Sequence, residues 1–362
     1  MTAHWLIYGA YGFTGQLLAE EAVRRGHRPT LAGRSREKLE PLAARLGLPS
    51  IAIELSADAA RLRDALAEHA LVFHAAGPFV FTCEPMVRAC LDARTHYLDL
   101  SGEIDSLERV FSLNGEARER GVVLLPAAGF DVIASDCLVR YVAERVTEPR
   151  SLDIAIAAIA DPSVGTLKSA LEILSRGGRA RRNGVLVPSQ LGGARMRVRF
   201  SGQEKIALAF PGPDLVTAFH TAGARDITTY MALGHGPAWA LRIGGSAARW
   251  ALASRRVRAA LGRLAGLGKA GPGEAARQSG RSFIWVRATS GDGQSAEAWL
   301  ETMEGYRFTA AAGVRVAERV LELWGEGRLT AGATTPARAL GADFVLEIPE
   351  TRRLEALSAE YV

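Results

Sequence analysis

Several chemistries are excluded by what this sequence lacks. Cysteine is scarce: Cys83, Cys90 and Cys137 are the only three, scattered and without metal-site spacing. A disulfide framework is not expected, and reduced thiols in a cytoplasmic protein are. No run of about eighteen uncharged apolar residues occurs, so no transmembrane helix is expected. The first apolar segment starts at Trp5, close to the start of the sequence, so no secretory signal is expected. Lysine is limited to Lys38, Lys168, Lys205 and Lys269, and none follows a tyrosine at the Tyr-x-x-x-Lys spacing of short-chain reductases. His-Glu-x-x-His and Gly-x-Ser-x-Gly are also missing, which argues against a zinc enzyme and a serine hydrolase. No metal site is expected. The formal net charge of +5 suits an anionic ligand, but it is too small and dispersed for nucleic acid.

What is present is length and apolar content. The 362 residues, 48% of them hydrophobic, suffice for two domains with sizeable cores. The most informative stretch runs from Trp5 to Ser35. Trp5 to Tyr8 is a short β-favouring run. Gly9-Ala10-Tyr11-Gly12-Phe13-Thr14-Gly15 follows, then a helical pattern from about Thr14 to Arg25, then a second strand over Pro29 to Ala32. Glycine has a distinct task at each place in such a turn: Gly9 for a tight exit, Gly12 for close approach of a pyrophosphate, Gly15 for helix-on-strand packing. The helix N-terminus adds N–H groups and the positive end of a dipole. The spacing is G-x-x-G-x-x-G rather than G-x-G-x-x-G, so the flanking strand and helix carry the assignment.

The end of the second strand selects the cofactor. An NAD site places a carboxylate there for the ribose hydroxyls. This chain has Arg34 and Ser35 instead. A guanidinium grips a 2′-phosphate bidentately and a hydroxyl adds a hydrogen bond, so NADP(H) is expected over NAD(H).

Alternation of strands and helices continues to about residue 130. Expected strands are 51–55, 71–75, 95–103 and 122–126. Expected helices are 37–46, 58–69, 84–92 and 104–120. This is the pattern of a doubly wound parallel sheet. Ala76, Gly77 and Pro78 end the fourth strand, where the nicotinamide end of a dinucleotide would lie. From Ser151 the pattern changes to half-exposed strands, with a hairpin around Ser290 to Gly293 and a long helix over 309–324. The expected fold is therefore α/β, a Rossmann domain over 1–130, followed by an α+β substrate or dimerisation domain over 131–334 built on a largely antiparallel sheet. The segment from about 335 to 362 is expected to pack back on the first domain.

Tyr97, Asp99 and Asp131 are the candidates for proton transfer or substrate contact. Tyr97 and Asp99 are two apart on a strand and share a face. A phenol is a plausible proton donor to an enolate or imine-derived nitrogen. The alternative is a structural hydrogen bond between the two. Asp131 reads equally as a substrate anchor or a helix cap, in a loop with Asp136. The arginines from 176 to 182 read as a solvated loop. In 239–269, Arg242, Arg249, Arg256 and Arg263 repeat every seven residues beside an apolar stripe. Peripheral membrane contact, a lipidic channel, an acidic carrier or plain surface would all fit that pattern.

The segments 9–15, 75–79, 95–103 and 129–136, with Gly165-Thr166, Gly177-Gly178-Arg179, 214–218 and 334–337, together resemble the saccharopine dehydrogenase-like oxidoreductases. The resemblance is particularly to the bacterial branch of trans-acting enoyl reductases. The resemblance implies a Rossmann domain with a second α+β domain, NADP(H) binding, and a homodimer through the second domain. It carries Gly12, Phe13, Thr14, Arg34 and Gly77 over as cofactor contacts. The expected function is an NADPH-dependent reductase of a small or carrier-bound, hydrophobic enoyl or polyketide-like substrate. Saccharopine-type imine reduction and a non-catalytic NADP-binding sensor or scaffold are the alternatives.

Overall fold

The computed structural model describes residues 4–55, 59–158, 162–200, 203–232 and 271–356, with 254, 256–258 and 260–261. The chain forms two compact units, Met1–Phe130 with Tyr306–Ala339, and Asp131–Gly305 with Leu340–Val362.

The order begins β1 (Trp5–Tyr8), α1 (Phe13–Arg24), β2 (Thr30–Gly33), α2 (Arg36–Leu46), β3 (Ser50–Ala52) and α3 (Ala59–Ala67). It continues β4 (Leu71–His74), α4 (Phe79–Ala93), β5 (His96–Asp99), α5 (Ile104–Ser112), α6 (Asn114–Arg120), β6 (Val123–Leu125) and α7 (Phe130–Ala143). Then come β7 (Pro149–Ala158), α8 (Val164–Ser175), β8 (Gly178–Arg182), β9 (Val185–Ser189), β10 (Arg195–Phe200), β11 (Gln203–Ala209), α9 (Asp214–Ala222) and β12 (Asp226–Ala232). The last elements are α10 (Glu274–Ser279), β13 (Arg281–Ser290), β14 (Ser295–Met303), α11 (Gly305–Gly325), β15 (Gly332–Ala333), α12 (Pro336–Leu340) and β16 (Arg352–Leu354).

In the first unit seven strands lie in the order β15-β6-β5-β4-β1-β2-β3, each pair parallel. Strands β1 and β4 are buried at every position, as continuous apolar runs between two helical layers must be. The order reverses direction between β1 and β4, which opens a crevice at their C-terminal ends. In the second unit the sheet runs β10-β11-β12-β7-β13-β14-β16, with β8 and β9 attached through β12. All its pairs are antiparallel except β12 with β7. It carries its own cluster, with Phe200, Val198 and Trp285 buried and Phe283, Tyr230 and Trp299 packed against them.

Several boundaries differ from expectation. Helix α11 and strand β15 belong to the first unit, not to a domain ending at 334. The segment 340–362 belongs to the second unit, where β16 extends the sheet as the partner of β14. The reason lies in α11. Gly313 leaves room for the side chains of Leu18 and Phe73; an added Cβ would come within 2.8 and 3.0 Å of them. Glu318 accepts from Arg25, His27 and Arg315 at 2.5 to 3.0 Å. Burial pushes its carboxyl up, but these donors outweigh that and hold it at about 2. Helix α4 starts at Phe79 rather than Glu84, directly after a cis Gly77–Pro78 peptide. The expected helix over 104–120 breaks at Leu113. Asp131 and Asp136 lie on α7 rather than in a loop. Arg181, expected in a solvated loop, is buried on β8 and donates to the carbonyls of Leu215 and Gly184.

The 239–269 stretch lies almost wholly outside the described residues. Within it, Arg258 donates to Glu172 at 2.9 Å. Among the described residues no helix is long and apolar enough to cross a membrane.

The packing at Gly313 yields a prediction. Gly313→Val should overfill the α11–α1–β4 contact and lower stability by about 1–3 kcal/mol. Gly325→Ala, with nothing within 4 Å, should be neutral or mildly stabilising. Thermal unfolding midpoints of both variants check this.

Candidate active site

The crevice is lined first by the turn after β1. Gly9 N and Ala10 N both donate to Ala32 O, at 2.8 and 3.2 Å, which ties the turn to β2. Gly9 has φ +85°, and a Cβ there would lie 2.8–2.9 Å from Ala75 and Ala76 atoms. A Cβ on Gly15 would lie 2.3 Å from Gly9 O, so α1 descends directly onto the turn. Gly12 is the N-cap of α1 and supplies no side-chain cap. The first-turn amides of α1 and the positive end of its dipole are thus offered without a competing side-chain acceptor from the cap. This is a cradle a dinucleotide pyrophosphate fits, because backbone donors can approach it where any Cβ would intrude. Tyr11, Phe13 and Thr14 complete the turn, and the Phe13 ring packs edge-on against Tyr306 at 5.0 Å.

At the end of β2, a Cβ on Gly33 would lie 2.5 Å from the Tyr11 ring, so the absent side chain leaves the place to that ring. Arg34 is exposed, with no hydrogen bond or ion pair among the described residues. Ser35 caps α2, its oxygen accepting from Lys38 N at 3.4 Å. The hydroxyl hydrogen stays available, and the N-terminus of α2 adds its own dipole. A guanidinium, a hydroxyl and a helix N-terminus suit a dianionic phosphate, and no carboxylate stands at 33–36 to repel one.

The third wall is the turn after β4. Ala76 and Pro78 are half-buried and Gly77 is exposed, so the turn presents backbone to solvent. A carboxylate behind it, Glu103, is buried and accepts from Phe79 N at 3.0 Å.

The proton-donor candidates fare differently. Tyr97 and Asp99 are brought together: the phenol donates to Asp99 Oδ2 at 2.6 Å. Asp99 Oδ1 accepts from Ser101 N, Ser101 Oγ and Ala127 N at 2.7–2.9 Å. Both residues are fully buried. Burial pushes the phenol well above its ordinary pKa and raises the Asp99 carboxyl. The geometry is the structural hydrogen bond that the sequence left open as the alternative, and Tyr97 has no surface to present to a substrate. Asp131 lies in the other unit, on the first turn of α7. It is exposed, and it makes no hydrogen bond among the described residues. The expected cap interaction is not formed.

Sequence reasoning missed the groups whose roles depend on partners far along the chain. Glu103 is one. Asp214 is another: Ser135 Oγ donates to its Oδ1 at 2.5 Å, while Oδ2 is buried without a partner. Burial, reinforced by Asp136 and Asp131 against the Ser135 bond, pushes Asp214 up to about 7. Among the described residues no group of His, Cys, Asp and Glu suits a metal ion.

Asp214 makes stability depend on pH. Its folded value exceeds the ordinary 3.8, so stability falls as pH rises from about 4 to 7, while only the unfolded chain ionises. Above 7 the loss is complete. Asp214→Asn should lack this loss: its melting midpoint should gain on the wild type progressively between pH 4 and 7. A constant offset across that range would contradict the assignment.

Residues 5–125 match the family described as Saccharopine dehydrogenase NADP binding domain. The "Saccharopine dehydrogenase-like oxidoreductase" of Bos taurus is 35% identical over 157 residues, covering 38% of this chain and 37% of that protein. The "Trans-acting enoyl reductase" of Mycobacterium bovis is 32% identical over 239 residues, covering 60% and 57%. The chain thus spans well under two thirds of the length of these curated relatives. Among solved structures, apo saccharopine dehydrogenase (L-Glu forming) from Saccharomyces cerevisiae superposes with a TM-score of 0.62 over 97% of this chain and all of that one, at 14% identity. That likeness establishes the shared fold. The parallel sheet and the glycine cradle of the first unit agree with the match of residues 5–125 to the family of saccharopine dehydrogenase NADP-binding domains.

Proposed function

We propose that the protein is an NADPH-dependent oxidoreductase that reduces the C=C bond of a hydrophobic enoyl or polyketide-like substrate, free or carrier-bound. The observation that carries the cofactor half is the unpartnered Arg34 beside the uncapped glycine turn. The enoyl half is supported by the 239-residue likeness to the trans-acting enoyl reductases, which is longer than the 5–125 domain.

In this reading Gly9, Tyr11, Gly12, Phe13, Thr14 and Gly15 surround the pyrophosphate. Arg34 and Ser35 hold the 2′-phosphate, and Ala76, Gly77 and Pro78 receive the nicotinamide end. Bound NADPH supplies a hydride to one alkene carbon, and the other carbon takes a proton. Tyr97 and Asp99 act behind the site: their bond, with those from Ser101 and Ala127, fixes the end of β5. Asp131, exposed on the first turn of α7, is the one of the three candidates left open to solvent, and we propose it for the proton-handling role. A homodimer through the second unit, which the family resemblance implies, completes the reading.

Two measurements test this. Arg34→Ala should weaken NADPH by about 1.5–3 kcal/mol, roughly ten- to a hundredfold, and leave NADH affinity nearly unchanged. Equal losses for both cofactors would sink the 2′-phosphate assignment. NADPH oxidation should occur with α,β-unsaturated thioesters and not with keto acid plus amine pairs, and Asp131→Asn should lower kcat without changing NADPH affinity. Turnover only with the keto acid and amine would replace the enoyl reading by imine reduction.

A further inference from the structure

The turn from β4 into α4 is held from two sides, by half-buried Thr82 backed by buried His74 and by buried Glu103. On the carbonyl side, Thr82 Oγ1 donates to Ala76 O at 2.7 Å and more weakly to Pro78 O at 3.3 Å. The Pro78 contact is the ordinary back-bond of a helical threonine to the fourth residue before it. The Ala76 contact reaches outside the helix and fixes the loop. His74 Nε2 stands 3.0 Å from the same hydroxyl. Since the hydroxyl hydrogen points at the carbonyls, His74 must be the donor in that pair, which makes it the Nε2–H tautomer. Its other nitrogen, Nδ1, is buried without a partner. The ring is fully buried, with Tyr8, Phe79 and Tyr97 around it at 5.6, 5.3 and 6.2 Å. Burial lowers the imidazole to about 3, so it stays neutral. On the amide side, Glu103 caps the first turn of α4, a service that Pro78 at the N-cap cannot perform.

Thr82 and Glu103 therefore set the direction of the Ala76 carbonyl and the Phe79 amide, while Gly77 between them stays exposed. A connecting turn needs only to reverse the chain. This one has its backbone aim fixed by a hydroxyl that is itself fixed by a neutral imidazole. We propose that Thr82, oriented by His74, is a positioning residue for the nicotinamide end of the cofactor. Nothing in the motif reading of the chain assigns it a role. The proposal rests on the cofactor reading above, and within it separates the nicotinamide half of the site from the adenosine half.

The separation supplies the test. Thr82→Val keeps the shape and removes the hydroxyl; Thr82→Ser keeps the hydroxyl. Affinities are measured for NADPH, by nicotinamide fluorescence, and for 2′-phospho-ADP-ribose, which lacks the nicotinamide, by calorimetry. Thr82→Val should weaken NADPH about tenfold, the effect of about one hydrogen bond. It should leave 2′-phospho-ADP-ribose unchanged, and Thr82→Ser should restore NADPH. Equal weakening of both ligands would show a general loss of structure and overturn the proposal, as would no weakening of NADPH. If Thr82→Val does not fold, Thr82→Ala is read by the same criteria. Failure of the wild type to bind either ligand would overturn the cofactor reading itself, and the proposal with it. Binding of both by the wild type with unselective loss in the variant would overturn the positioning role alone.

Discussion

The first unit depends on how closely α1 approaches the end of β1. With Gly9 O only 2.3 Å from where a Gly15 Cβ would be, no side chain fits between the helix and the turn. That approach puts the helix dipole and its first amides at the switch point of the sheet, where β1 and β4 part. Gly9 in the left-handed region then brings the turn against Ala75 and Ala76, so the turn after β1 and the turn after β4 touch. One steric condition thus places two walls of the crevice. The remaining wall follows from the parallel pairing of β1 with β2, which carries Arg34 to the same end of the sheet.

Behind these walls lies a layer of mostly buried polar groups that bond to one another and to the backbone. Asp99 gathers a phenol, a hydroxyl and two backbone amides, and so joins the end of β5 to the segment after β6. His74, Thr82 and Glu103 do the same for the turn after β4. Each buried polar atom left unpaired costs about 1–3 kcal/mol, so these networks hold the loops in one arrangement. Rigid loops are what a site needs when a hydride must travel a short, directed path.

Much of this was legible in the residues. The glycine turn, the alternation up to residue 130, the Arg34-Ser35 pair and the antiparallel hairpin of the second unit all rest on local patterns, and local patterns are what sequence records. The facing of Tyr97 and Asp99 was likewise legible from strand periodicity. Their burial was not, because it depends on what packs over them. The long-range groups were less visible still. Glu103 pairs with Phe79 and Ser135 with Asp214 across separations that no periodicity encodes. The placement of α11 depended on a glycine meeting Leu18 and Phe73 and on a carboxylate meeting Arg25, contacts far apart in the chain. A helix reads as a helix in the sequence; the sheet it covers does not.

The most direct measurement is a crystal structure of the protein with NADPH. The account predicts the 2′-phosphate within hydrogen-bonding distance of Arg34, the pyrophosphate over Gly12 and the first turn of α1, and the nicotinamide against the backbone of Ala76 to Pro78. A 2′-phosphate directed away from Arg34, or a nicotinamide lying elsewhere than on that turn, would contradict it.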